Sequence, residues 1–332
     1  MSCGILHLPE MHNHIDYTMI SFGPVPSRRL GWSLGINNIV SPKVCSYSCV
    51  YCQIGTTKNM SVMRQSFFDP DLILHEVRIH IEKLPANKKP DYLTFVSNGE
   101  PTLDINLGRS IRRLKKLGFP VAVITNASLL SDASVRDDLD AADWVSVKVD
   151  TADRDTWRRV NRPADELKFE DYVDGLFSFA GAYKGLLRTE TMLCNKVNDN
   201  EGNFRGVASI IGGIKPGKAY ISVPVRPPAL NSIIPPEADN LNLAWQIFTK
   251  EGVDTELLTG FEGAETGFTG NSYEDILNIT AVHPLREDAL KELLARNRSG
   301  FNVVEALVEQ GLIKHSYFQG NKFYIRNFNT RE

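Results

Sequence analysis

The sequence predicts an α/β protein built from parallel βαβ units, with a smaller domain at its C-terminal end. Three observations carry this. Short, buried-looking apolar runs alternate with stretches of helical spacing through the first two thirds of the chain. That alternation is the mark of strands joined by crossover helices. Beyond a glycine-rich segment near residue 260 the pattern changes to two helices followed by a hairpin.

The elements follow in order. A polar N-terminal segment (1–20) leads to a strand around Leu34 that ends just before a cysteine-bearing loop. Asp69-Pro70 opens a helix over 71–84, with Leu72, Val77, Ile79 and Ile81 suggesting its buried side. Leu93 to Ser97 reads as a strand closed by the turn Asn98-Gly99-Glu100-Pro101, and Leu107 to Leu117 as a helix with basic residues outward. Pro120 to Thr125, Trp144 to Val149, Leu186 to Leu193 and Ala219 to Val225 are further strands, with helices near 132–140, 169–182 and 204–211. The count is about six βα units, although length alone admits a closed eight-fold barrel.

Pro227-Pro228 and Pro235-Pro236 bracket an extended surface crossing. Gly260 to Gly270 is a hinge or linker, which sets expected boundaries at 21–258 for the main domain, 259–280 for the linker and 281–332 for the tail. In the tail, His283-Pro284 opens a helix through Ala295. A second helix over 302–310 ends at Gly311 as a C-terminal cap, and a hairpin turns at Gln319-Gly320-Asn321. Two helices and a hairpin predict a winged-helix-like domain.

Apolar residues make up 42% of the 332 and charged residues 23%, and the net charge is −3. That balance gives no global attraction to nucleic acid or anionic membranes, while leaving room for a local basic patch. No stretch reaches the roughly 18 apolar residues of a membrane span. The start lacks a signal peptide's basic region and apolar core. Few cysteines, three of them grouped, suit a reducing compartment, so a cytoplasmic protein is expected.

Three of the five cysteines stand at Cys45, Cys49 and Cys52 in the run Cys-Ser-Tyr-Ser-Cys-Val-Tyr-Cys. A C-x3-C-x2-C loop can place three thiolates around one face of a cubane iron–sulfur cluster. Electron-transfer clusters are fully ligated by four cysteines, so three leave one iron open to a small molecule. Structural zinc usually takes four ligands, and no further Cys or His follows closely enough to complete a local set.

The run resembles the signature of the radical S-adenosylmethionine (SAM) superfamily, including Tyr51 just before the third cysteine. The resemblance implies a partial (β/α)6 TIM-like barrel and a [4Fe-4S] cluster on Cys45, Cys49 and Cys52. It also implies SAM on the open iron, cleaved reductively to a 5'-deoxyadenosyl radical that abstracts hydrogen, and an electron donor such as flavodoxin or ferredoxin. Tyr51 would lie near the adenine. Asn98-Gly99-Glu100 resembles the turn that holds the SAM ammonium, with Asn98 where a glycine often stands. Asn126 and Ser146 would bond the ribose or carboxylate, and Lys148 would reach a carboxylate or the substrate as the catalytic candidate. Strand alternation puts Ser146 and Lys148 on one face, so these roles require that face to be the barrel interior. Glu190 and Met192 are similarly placed on the following strand.

Phe22 to Gly31, the run Cys-Val-Tyr-Cys-Gln-Ile-Gly, and Asp150 to Pro163 resemble a narrower group related to the tRNA wyosine-base (imidazoguanine-forming) synthases. That resemblance covers about residues 20 to 230 and suggests a modified nucleoside of tRNA as substrate. Arg28, Arg29 and Arg226 become candidates for a substrate phosphate or carboxylate, with structural salt bridges at the barrel mouth as the alternative. The archaeal synthases carry three further upstream cysteines for a second cluster. Only Cys3 stands upstream of Cys45 here, which argues against a second cluster and against the imidazoline-forming reaction. Cys3 with His7, His12 and His14 is expected to be a surface segment rather than a metal site, and Cys194 a buried small hydrophobe.

From Pro284 to Glu332 eight Lys/Arg face six Asp/Glu, and His315, Tyr317, Phe318 and Tyr324 interleave with Lys314, Lys322 and Arg326. So small an excess predicts a structural or substrate-gating tail, with RNA or DNA contact as the alternative. The competing function is an iron–sulfur redox-sensing regulator with a DNA-binding winged helix. A sensor has no need of the SAM-site motifs, so the enzyme is favoured.

Overall fold

The computed structural model describes residues 20–40, 42–260 and 270–327; the Cys3/His7/His12/His14 group and most of the glycine-rich segment lie outside the described residues. The chain opens with an antiparallel hairpin, β1 (Ser21–Ser27) and β2 (Gly31–Ile36). The cysteine loop follows, tied by the two-residue pair β3 (Val44–Cys45) and β4 (Asn59–Met60). After helix α1 (Pro70–Lys83), six more strands join β2 in parallel. They are β5 (Tyr92–Phe95), β6 (Val121–Thr125), β7 (Trp144–Lys148), β8 (Leu186–Met192), β9 (Lys218–Ser222) and β10 (Thr255–Leu258). The sheet order is β1-β2-β5-β6-β7-β8-β9-β10, a curled, open partial barrel. Helices α2 (Leu107–Leu114), α3 (Ala133–Leu139), α4 (Arg154–Val160), α5 (Phe169–Ala182), α6 (Glu201–Ile214) and α7 (Ala238–Lys250) fall between the strands.

Local signals explain several of these boundaries. Asp69 accepts a hydrogen bond from Asp71 N (2.7 Å) ahead of Pro70, so α1 starts with a side-chain cap and a proline that has no N–H to lose. Along β6 and β7, Val121, Val123, Val145 and Val147 point to the helices and are almost fully buried with Leu107, Ile111, Leu176 and Phe179. The alternate residues face inward, where Ala122, Trp144 and Tyr220 pack with Leu30 and Leu258.

The partial barrel expected from the resemblance is present, with seven parallel strands instead of about six. β10 escaped notice because it is a four-residue edge strand, three of whose residues are only half-buried, so it has no apolar run. Residues 272–280, expected within the linker, belong to helix α8 (Ser272–Val282). Its Ile276 and Ile279 pack with Leu285, Leu290, Leu293 and Leu307 in a second apolar cluster. The tail continues through β11 (Leu285–Arg286), α9 (Glu287–Arg296), α10 (Asn302–Glu309), β12 (Ile313–Phe318) and β13 (Asn321–Arg326), with sheet order β11-β13-β12. No helix among the described residues is long and apolar enough to cross a membrane.

Candidate cluster and SAM site

The cysteine loop lies across the carboxyl ends of the strands, where an open α/β sheet offers its reactive crevice. Val44 N donates to Asn98 O (3.3 Å), and Glu100 N donates to Val44 O (3.2 Å). Gly99, between these bonds, has φ +140°, and a Cβ there would fall 1.7 Å from Val44 O. Only glycine allows so close a backbone approach. Gly99→Ala is therefore expected to push the loop off the 98–100 turn. Iron bound after reconstitution should drop several-fold while far-ultraviolet circular dichroism stays unchanged. On its other side the loop is held by Val50 N to Val160 O (2.9 Å) and Ala164 N to Ser46 O (2.9 Å), and Trp157 Nε1 donates to the buried Tyr47 hydroxyl (2.9 Å).

Each of the three sulfurs faces an N–H donor. Asn126 Nδ2 lies 3.7 Å from Cys45 Sγ, Asn161 Nδ2 3.5 Å from Cys49 Sγ, and Lys43 Nζ 3.1 Å from Cys52 Sγ. Burial pushes the Cys45 and Cys49 thiols up to about 12. Alone they would stay protonated, whereas the positive charge of bound iron favours the thiolate. The three sulfurs line one cavity of about 310 Å³. Three thiols on one cavity, each with a donor suited to an anionic sulfur, fit a cluster ligated by three cysteines.

Tyr51, Gly99, Glu100, Asn126, Lys148, Arg28, Arg29 and Arg226 also line this cavity. Asn98 and Ser146 do not. Asn98 serves through its backbone, since its N donates to Asn37 Oδ1 (2.8 Å) and its carbonyl holds Val44. Ser146 lies on the same inward face as Lys148, two residues deeper, and is 1% exposed.

Glu100 is 1% exposed and strongly engaged by the protein. Its Oε1 accepts from Thr102 N (3.1 Å), Thr102 Oγ1 (2.7 Å) and Thr125 Oγ1 (2.5 Å), and its Oε2 from Asn126 N (2.7 Å). Burial raises its pKa against the pull of those bonds. The carboxylate thus ties the ends of β5 and β6 together, and Oε2 keeps capacity for one more donor.

Opposite lies a charged group centred on Glu190. Its Oε1 accepts from Lys148 Nζ (2.7 Å) and Ser222 Oγ (2.9 Å), and its Oε2 from Arg29. Burial pushes Lys148 down to about 8, Arg29 acts in the same direction, and Asp150 opposes. Lys148 Nζ lies 5.5 Å from the Tyr51 ring centroid. The Tyr51 hydroxyl donates to Asp150, which also accepts from Asn161 Nδ2 (2.7 Å) and Met192 N (2.8 Å). Arg28 reaches across to Gly260 O (2.8 Å). Arg226 donates to Gln53 Oε1 (3.3 Å) and meets His283 Nε2 at 3.0 Å. His283 brings the C-terminal unit into the cavity wall.

Lys43 and His283 were invisible as site residues in the sequence. Neither belongs to a motif, and only the folded path brings them to Cys52 and Arg226.

Residues 39–201 match the profile described as the radical SAM superfamily. A UPF0026 protein of Methanocaldococcus jannaschii is 42% identical over 315 residues, covering 94% of this chain and 98% of its own. Among solved structures, Streptococcus suis SuiB bound to its precursor peptide SuiA superposes with a TM-score of 0.51 at 12% identity, over 68% of this chain and 48% of that one. TYW1 with a lysine-pyruvate adduct bound gives 0.47 at 13% identity, over 91% and 82%. The chain belongs to the UPF0026 family and is an enzyme of the radical SAM superfamily, whose members use a [4Fe-4S] cluster and S-adenosylmethionine.

Proposed function

We propose that this protein cleaves SAM reductively at a cluster held by Cys45, Cys49 and Cys52 and abstracts a hydrogen atom from a substrate in the adjoining cavity. The observation that carries this reading is the set of three sulfurs, each with its own N–H donor, opening on one cavity. When bound, the cluster and SAM supply the electron transfer and the 5'-deoxyadenosyl radical.

The residues of the chain bind, orient and exclude water. Lys43, Asn126 and Asn161 stabilise negative charge on the sulfurs. Glu100 Oε2 accepts from the SAM ammonium, while the Glu100 carboxylate keeps Asn126 aimed at Cys45. Tyr51, fixed through Asp150, forms the wall beside the adenine. Lys148 and Arg226 receive an anionic group of the substrate. The reductant is a flavodoxin or ferredoxin, and a modified nucleoside of tRNA is the substrate class that the sequence resemblance favours. The C-terminal unit, winged-helix-like in element order, gates the cavity through the His283–Arg226 contact.

The test is anaerobic reconstitution with iron and sulfide, followed by reductant and SAM, with assay for 5'-deoxyadenosine and methionine. Protein carrying about four irons per chain that leaves SAM intact would sink the reading.

A pH dependence follows from Lys148. Its ammonium, ordinarily stable to about 10.5, here persists only to about 8. Anchoring of an anionic substrate should therefore be lost as pH rises through about 8, and kcat/KM for hydrogen abstraction should fall there. Lys148→Arg keeps its charge and should shift the fall to higher pH. An unchanged profile in this variant would remove Lys148 from substrate binding.

A further inference from the structure

A second cavity, of about 1130 Å³, lies between the cysteine loop and the C-terminal hairpin. It shares Lys43, Gln53 and Ile54 with the cluster cavity, so the two spaces are separated by one thin wall. Lys58 enters it from the cysteine-loop side, and Lys314, His315 and Arg326 from β12 and β13. No Asp or Glu is among its described lining residues, although acids outnumber bases in the whole chain, 40 to 37. Two of the tail's basic residues, Lys314 and Arg326, thus stand in a lining without described acids.

His315 is the aromatic group of the described lining, and its ring meets that of Tyr317, 68% exposed further along β12, edge-on with centroids 5.9 Å apart. Proline residues Pro42, Pro227 and Pro284 stiffen the other walls. Cations from two separate elements, with the His315 ring between them and no acid in the described lining, suit a ligand carrying phosphate groups. Lys43, bonded to Cys52 Sγ and Gly55 O (2.7 Å), lines both cavities and forms part of the wall between them.

We propose that this cleft binds the phosphate groups of the substrate, with Lys58 on one side and Lys314 and Arg326 on the other, and directs the reacting part over the Gln53–Ile54 wall toward the cluster. The proposal depends on the enzyme reading only in calling the ligand a substrate. A mononucleotide and a single-stranded oligonucleotide offer the same phosphate chemistry, and the experiment separates them.

Reconstituted protein with SAM is titrated against a labelled single-stranded RNA of mixed sequence, a nucleoside monophosphate and the parent nucleoside, with binding read by anisotropy or calorimetry. Three phosphate contacts predict that log affinity for the RNA falls with log salt at a slope of about −2. The double variant Lys58→Gln/Lys314→Gln, at exposed positions, should bind at least about tenfold more weakly and lose about 1.4 of that slope. Lys116→Gln, outside the cleft, should change neither. Selective weakening of the RNA supports the cleft as a strand-binding site, and equal weakening of the monophosphate supports it as a nucleotide site.

The proposal is overturned if neither phosphate ligand binds at low salt, if the double variant binds as tightly as the parent, or if the nucleoside binds as well as its monophosphate. SAM cleavage in the same samples keeps the readings apart. Cleavage without phosphate binding removes the cleft alone, and binding without cleavage removes the enzyme reading alone.

Discussion

Cys49→Ala should reduce 5'-deoxyadenosine formation to background and bound iron to well below one per chain, from about four. Two thiolates cannot hold a cubane that already relies on only three. The position is also a selective one to change. Cys49 is half-buried at the edge of the Cys45, Tyr47 and Trp157 cluster, which Leu167 and Phe169 also cover. The loop stays anchored by Val50 N to Val160 O and by Ser48 N to Asn161 O (3.1 Å). Removal of the sulfur leaves Asn161 Nδ2 its bond to Asp150, so no buried donor is orphaned. Thermal melting of the metal-free variant should therefore match that of the metal-free parent. A variant that still cleaves SAM at a tenth of the parental rate or more would place the cluster on other ligands.

Glu190→Ala should cost about 3–5 kcal/mol of stability, the range for removing one partner of a buried ion pair. The glutamate is 6% exposed and balances two cations at once, Lys148 and Arg29, whose side chains are 17% and 18% exposed. Without it two positive charges share a wall of low polarity, and Ser222 Oγ loses its 2.9 Å acceptor. Glu190→Gln keeps the shape and one acceptor oxygen but loses the charge, so it should be milder. Adding Lys148→Met to Glu190→Ala should recover part of the loss, because it removes one uncompensated cation. Urea unfolding of the parent, Glu190→Ala, Lys148→Met and the double variant measures this coupling. A Glu190→Ala variant within about 1 kcal/mol of the parent would mean that water, rather than the carboxylate, solvates these cations.

The cluster loop was legible in the sequence because its chemistry is local: Cys45, Cys49 and Cys52 are spaced by the loop itself. The core strands were legible for a related reason, since β6 and β7 are covered on both faces and read as apolar runs. β10 carries Thr255 and Glu256 at a sheet edge and was missed. Helix α8 was hidden by its glycine-rich neighbour, although Asn271 caps it by accepting from Glu274 N (3.3 Å). Spacing alone also could not say how a side chain is used. Glu100, expected to reach outward to SAM, is largely occupied in joining two strand ends, and Arg28 and Arg29 are drawn to Gly260 and Glu190. Such roles are settled by which elements meet in space, through contacts about 25 residues apart for Glu100 and more than a hundred apart for the two arginines.

The barrel's open seam has a mechanical consequence. β1 and β10 are the two edges of the sheet, and Arg28 Nη1, from the turn after β1, bonds Gly260 O just beyond β10. A ladder along that line would yield only as a cooperative unit, whereas a side-chain contact near the surface can break and re-form by itself. Among the described residues no ladder joins β1 to β10, so a widening of the barrel would break the fewest backbone bonds at the seam, away from the strands carrying the cluster loop, Glu100 and Lys148.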